Sequence, residues 1–175
     1  MLFNAFSALV TLSVLPLMAR AAVWDVTVGG AAGLVYTPPY VNAAINDTVR
    51  FTFNFNNHTV TQSAFDAPCT PLLGGVNTGF NQPVSPELKS GFPTFDIIVQ
   101  NPAPFWIYCA QTGHCPMGMV FAINPPATGN TFDKFKAKAI ATAKTTASST
   151  ASNKGKADCA SPGSAKWGNK YCRGY

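Results

Sequence analysis

The stretch Phe105-Trp106-Ile107-Tyr108-Cys109-Ala110-Gln111-Thr112-Gly113-His114-Cys115-Pro116-Met117-Gly118-Met119-Val120 limits the fold more than any other part of the chain. It places a thiol, an imidazole and a thioether at Cys109, His114 and Met119, between one apolar run that ends at Cys109 and another from Val120 to Ile123. A loop pinned at both ends by strands can aim three side chains at one point. The donor types matter more than their number. Thiolate with imidazole suits zinc or copper, whereas a thioether is a soft, weak donor of little use to zinc or magnesium.

One Cys, two His and a long axial Met make up the blue-copper set. The loop lacks one imidazole, and the chain has only two histidines, so the second is His58 in Asn57-His58-Thr59-Val60. Met117 competes with Met119 for the axial place, but it follows His114 too closely to reach round easily. Each residue alone has a duller reading: His58 as a strand-edge histidine, Met119 as core. Only the combination points to a metal.

Around this loop the chain reads as all-β. Val49, Phe51, Phe53 and Phe55 alternate with Arg50, Thr52 and Asn54, the period-two pattern of a strand with one buried face. Strands are expected at Val23–Val28, Gly33–Tyr36, Thr48–Phe55, His58–Gln62, Thr94–Val99, Phe105–Cys109 and Met119–Ile123. Asn56-Asn57 turns the chain and sets His58 at a strand edge. The connection from Ser63 to Gly91 has room for a short helical turn and a loop stapled by Cys69. Short strands separated by turn residues indicate a sandwich or barrel.

The loop resembles the copper loop of the cupredoxins, and most of all that of the phytocyanins and the extracellular fungal cupredoxins near them. Four residues separate Cys109 from His114 and four separate His114 from Met119, the phytocyanin Cys-x4-His-x4-Met/Gln spacing. The resemblance covers roughly Val23 to Pro126. It implies a Greek-key β-sandwich with one type 1 copper site ligated by His58, Cys109, His114 and Met119, and one-electron transfer. It also implies a disulfide from the Cys after the second ligand His to an earlier Cys, here Cys115 to Cys69. In the relatives that second His has an edge near solvent, and Pro116 and Met117 would give it an apolar rim for docking.

The ends of the chain differ from this centre. Ala5 to Met18 is an apolar run of leader length followed by the small-x-small site Ala19-Arg20-Ala21, so residues 1–21 read as a signal peptide and Ala22 as the first mature residue. Residues 22–126 then form the domain, 127–157 a basic Ala/Thr/Ser/Lys linker with room for a short helical turn at Phe132–Lys138 and flexible from Ala139 onward, and 158–175 a small disulfide loop. Export allows the five cysteines to be read as an oxidising set. If Cys109 is a copper thiolate, the other four pair as Cys69–Cys115 and Cys159–Cys172. The rival pairing Cys69–Cys109 would abolish the thiolate. Asn46-Asp47-Thr48 and Asn57-His58-Thr59 are N-glycosylation sequons at Asn46 and Asn57.

Residues 22–126 carry Arg50 and Lys89 against Asp25, Asp47, Asp66, Glu87 and Asp96, a net −3, and residues 127–175 carry nine basic residues against Asp133 and Asp158, a net +7. The overall basic character therefore belongs to the tail, which would suit an acidic wall polymer or surface or simply a solvated linker. The basic residues are not interleaved with stacking aromatics, which argues against nucleic acid. The polar C-terminal stretch leads to the expectation of neither a transmembrane span nor a lipid anchor, and the chain is expected to be a monomer. Enzyme readings fare poorly: no acid in the loop could orient a Cys109–His114 pair, and two histidines are too few for a multicopper oxidase. The expectation is an extracellular electron carrier with an unidentified redox partner, not an enzyme. Two alternatives are an extracellular copper-binding or storage protein and a wall-associated interaction protein with an idle copper site.

Overall fold

The alternating segment after Asp47 forms the heart of the first sheet. In the computed structural model, which describes residues 20–80, 84–85 and 87–153 (of 144–153 the backbone only), it becomes strand β4, Thr48–Asn54. Val49, Phe51 and Phe53 are buried while Thr48, Arg50, Thr52 and Asn54 are partly exposed, as a half-buried strand requires. Strand β1, Val23–Gly29, lies parallel to β4, from Val23 opposite Thr48 to Gly29 opposite Asn54. Strands β2 (Tyr36–Thr37) and β6 (Thr94–Ile98) complete the sheet in the order β2-β1-β4-β6. On its outer face the guanidinium of Arg50 donates through Nε and a terminal nitrogen to both oxygens of Asp96, at 3.0 and 2.8 Å.

The second sheet has the order β3-β8-β7-β5, with β3 at Tyr40–Val41, β5 at Thr61–Ser63, β7 at Phe105–Tyr108 and β8 at Val120–Ile123. The two sheets close on one core of Val26, Val28, Val49, Phe51, Phe53, Ile107, Phe121 and Ile123. Phe51 and Phe121 meet edge to face across it, with centroids 5.2 Å apart. The domain is thus an all-β sandwich of two mixed sheets.

Three local expectations shift. The strand expected at Gly33–Tyr36 starts only at Tyr36, because Gly30–Ala32 forms a 3-10 turn and Gly33 takes φ +84°. The strand expected at His58–Gln62 pairs only from Thr61. Ahead of it, the Val60 N–H donates to the Thr78 hydroxyl at 3.0 Å and the Val60 carbonyl accepts from the Thr78 N–H at 3.1 Å, in place of strand pairing. The connection from Ser63 to Gly91 contains no helix among its described residues and is held by isolated bridges such as Thr61 to Asn77.

The larger correction concerns the tail. The short helical turn expected at Phe132–Lys138 is present, but it does not stop there: it runs on through the stretch from Ala139 that was expected to be a flexible linker, as helix α1, Phe132–Asn153. Thr131 caps it, its hydroxyl accepting from the Lys134 N–H at 3.3 Å, and Asp133 sits in the first turn. Phe132, Phe135 and Ala139, at helical spacing, are buried against Phe65, Trp106, Tyr108, Val120 and Ala122 on the outer face of the second sheet. Burying one such phenylalanine is worth about 1.5–3 kcal/mol, enough to hold an Ala/Lys helix that would be marginal alone. The leader (apart from residues 20 and 21), Cys159, Cys172 and the loop 158–175 lie outside the described residues.

Candidate metal centre

Two strands and two turns bring the predicted donors together. Strand β7 ends at Tyr108 and delivers Cys109, fully buried, to the inner core. The loop returns through tight turns: His114 N–H donates to Gln111 O at 3.0 Å, Gly118 to Cys115 O at 2.8 Å and Met119 to His114 O at 3.0 Å. Cys109 N–H then donates to Met119 O at 3.1 Å, closing the loop on itself. From the other side Phe55 and Asn56, both at positive φ, turn the chain and place His58 in the interior, 1% exposed.

The Nδ1 atoms of His58 and His114 lie 3.7 and 3.5 Å from Cys109 Sγ. The three donor atoms fall within 4.8 Å of one another. Donors held about 2.0–2.3 Å from a first-row ion in a trigonal plane would be about 3.7 Å apart, so the triangle has the dimensions of a ligand set. The imidazole rings, with centroids 5.0 Å apart, share that point without stacking. Met119 is wholly buried and adjoins Cys109 through the backbone bond above, whereas Met117 is 69% exposed. The chemistry of the set, one thiol and two imidazoles beside a buried thioether, fits copper.

Hydrogen bonds fasten the two arms together. The Thr59 hydroxyl accepts from the Ala110 N–H at 2.8 Å and lies 2.8 Å from the Thr61 hydroxyl, which reaches Asn77 Oδ1 at 3.3 Å. Tyr36 donates to the Thr59 carbonyl at 2.6 Å. Behind His58 stands Gly29, at φ +76°, where a Cβ would come within 2.6 Å of His58 Cδ2 and 2.7 Å of Asn54 O. Only a glycine lets the ring lie there. In the sequence Thr59 stands out only within the Asn57 sequon and Gly29 has no role, since both act through contacts made by distant segments.

The electrostatics follow burial. It pushes the imidazole of His58 down to about 4, with the neighbouring His114 adding to the effect, and it lowers His114 as well. Both rings are therefore neutral at neutral pH and keep a lone pair for a metal. Burial raises the Cys109 thiol, opposed by the backbone N–H groups of Thr59 and Gln111 and by the Thr59 side chain.

Cys69 and Cys115 form a disulfide, and Cys109 is the free cysteine among the described residues. Helix α1 roofs this bridge: the Ala139 carbonyl and the Thr142 hydroxyl lie 3.9 and 3.6 Å from Cys69 Sγ. A Cβ on Gly118 would meet Lys136 at 3.1 Å, so the helix also overlies the donor loop. Asn46 sits on an exposed turn at φ +74°. Asn57 is half-buried, and Thr59 of its sequon is fully buried.

No protein-family model matches the chain. It is 34% identical to the probable GPI-anchored cupredoxin-1 of Arthroderma benhamiae over 119 residues, 68% of this chain and 60% of that protein. It is 33% identical to an extracellular serine-rich protein of the same fungus over 123 residues, 70% of this chain and 46% of that one. The chain thus spans roughly half to three-fifths of the curated relatives it matches. Among solved structures, native pseudoazurin from Hyphomicrobium denitrificans aligns with TM-score 0.43 and 20% identity, over 68% of this chain and 97% of that one. The expectation of no lipid anchor does not stand: a relative named as GPI-anchored overturns it, since the polar C-terminal stretch is a weaker guide than kinship.

Proposed function

The chain belongs to the cupredoxin family, and from that premise we propose that it holds one copper ion at a type 1 site of His58, Cys109, His114 and Met119 and carries one electron at a time. The observation that carries this reading is the buried convergence of Cys109, left out of the Cys69–Cys115 bridge, with both histidines of the chain. Copper held there would supply one-electron exchange between its cupric and cuprous states.

The protein's own groups do the rest. Cys109 must surrender its thiol proton on binding, which burial makes harder and the N–H groups of Thr59 and Gln111 make easier. His58 and His114 offer neutral Nδ1 donors throughout the neutral range. Donors anchored in a closed sandwich and a hydrogen-bonded loop cannot spread far, so little reorganisation accompanies a change of charge. Met119 and the apolar core around Ile107 and Phe121 keep the sulfur dry and bias the potential. His114, half-buried beside the exposed Met117, is the route for electrons in and out. The related proteins are named as GPI-anchored and extracellular, and the protein works outside the cell. It is an electron carrier rather than an enzyme.

The test is the visible spectrum of the purified protein with Cu(II). A strong thiolate charge-transfer band in the orange-red is expected, and Cys109→Ser should abolish it while the fold persists. A colourless wild-type complex, or a peptide map with Cys109 joined to Cys69, refutes the reading.

A further inference from the structure

Just ahead of β4, an interior strand of the first sheet, one carboxylate gathers three donors and, among the described residues, no cation. Asp47 is 6% exposed. Its Oδ1 accepts from the backbone nitrogen of Ala22 at 2.7 Å, and its Oδ2 accepts from the Trp24 indole and from the Ala44 N–H, both at 2.9 Å. The ion pairs among the described residues are Arg50–Asp96 and Lys138–Asp66, and neither involves Asp47. The Trp24 indole first, then the Ala22 and Ala44 N–H groups, hold its carboxyl below the ordinary range against the cost of burial. The group is therefore ionised at neutral pH, with only neutral dipoles around it.

The other partner is unusual by position. Ala22 is where the fold begins: its carbonyl accepts from Thr48 N at 2.8 Å and its nitrogen reaches Asp47, while Arg20 and Ala21 are exposed. Strand pairing starts one residue later, with Val23 opposite Thr48. The same point follows the small-x-small run Ala19-Arg20-Ala21, where a leader-removing endopeptidase would cut.

We propose that Asp47 is the receptor for the amino terminus created by removal of the leader, so that cleavage between Ala21 and Ala22 turns a neutral hydrogen bond into an ion pair. Hydrolysis of that amide consumes one water and leaves a carboxylate on Ala21 and an amine on Ala22, which takes a proton from solvent at neutral pH. The nitrogen need not move. Ala22 is exposed, so the two additional N–H groups of the ammonium stay hydrated, and the bond to Asp47 becomes charge-assisted. A chain that began at Val23 would lose the donor, and one that began at Ala21 would keep a neutral amide. The fold thereby registers the cut at a single residue. This inference rests on the export reading and not on copper.

The experiment uses the full chain expressed with its leader and recovered from the medium. Terminal sequencing should read Ala22 first. The α-amino group of the folded protein, followed by NMR through a pH titration, should titrate about one unit or more above the free range of about 7.7–8.0. With one glycine added before Ala22, or with Asp47→Asn, the terminal amine should return to that range. The glycine-extended chain carries the comparison if Asp47→Asn does not fold. A mature chain that begins at any other residue, or an Ala22 amine that titrates in the free range, overturns the proposal. A colourless copper complex would refute the functional reading and leave this one untouched.

Discussion

Gly29→Ala is the sharpest test of how His58 is held. Two costs are separable. The backbone at Gly29 has φ +76°, a region that L side chains avoid, at about 1–3 kcal/mol. The added methyl also starts 2.6 Å from His58 Cδ2 and 2.7 Å from a backbone carbonyl. Carbon atoms rest at about 3.5–4.0 Å, so the ring must retreat by about 1 Å, at an overpacking cost of about 1–3 kcal/mol. Its Nδ1 now stands 3.7 Å from Cys109 Sγ, and a displacement of that size deforms the donor triangle.

Gly33→Ala is the control. That residue has φ +84° but nothing within 4 Å of the added carbon, so it should show the backbone cost alone. Urea unfolding of both apo variants, with Cu(II) titration followed by absorbance, reads the two costs apart. Gly29→Ala should be the less stable of the pair by about 1–3 kcal/mol and should bind copper more weakly with an altered band. Equal stability of the two variants, with the wild-type spectrum in both, refutes the contact between Gly29 and the ring.

Three further outcomes follow from the same geometry. His58 is held at about 4 in the folded protein against about 6.5 unfolded, so above 6.5 it contributes nothing; as the pH falls from about 6.5 to about 4, the unfolded chain takes up a proton that the native chain refuses. The apo protein should lose about 3 kcal/mol across that window, measured as a falling urea midpoint, and copper loading should blunt the loss. Thr59→Val removes the acceptor of the Ala110 N–H and should cost about 1–3 kcal/mol, with a shifted copper spectrum that Thr59→Ser restores. Phe135→Ala empties the centre of the helix contact, should cost about 3–5 kcal/mol, and should speed reduction of the Cys69–Cys115 bridge by dithiothreitol.

What could be read directly was chemistry carried by residue type and short spacing. Thiol, imidazole and thioether within one loop define a soft donor set wherever the loop lies, and with two histidines in the chain the missing ligand had one candidate. The alternation at Val49, Phe51 and Phe53 likewise settled a half-buried strand before any neighbour was known. Other features depend on which face of a sheet a residue meets, and this is a tertiary matter. Cys109, just past the end of β7, lies in the main core, whereas Cys115 and Cys69 lie with the second cluster under α1. That separation, invisible in sequence distance, decides between the Cys69–Cys115 and Cys69–Cys109 bridges.

The helix follows the same rule. β7 and β8 are buried at nearly every position, a sign that both their faces are covered. Their sequence demanded a second cover without naming it, because Phe132, Phe135 and Ala139 are too few among Ala, Lys and Thr to announce an amphipathic face. Local pattern determines which side chains need shelter and which atoms are suited to a metal. Only the closed structure decides what shelters them, because burial is a property shared between distant segments.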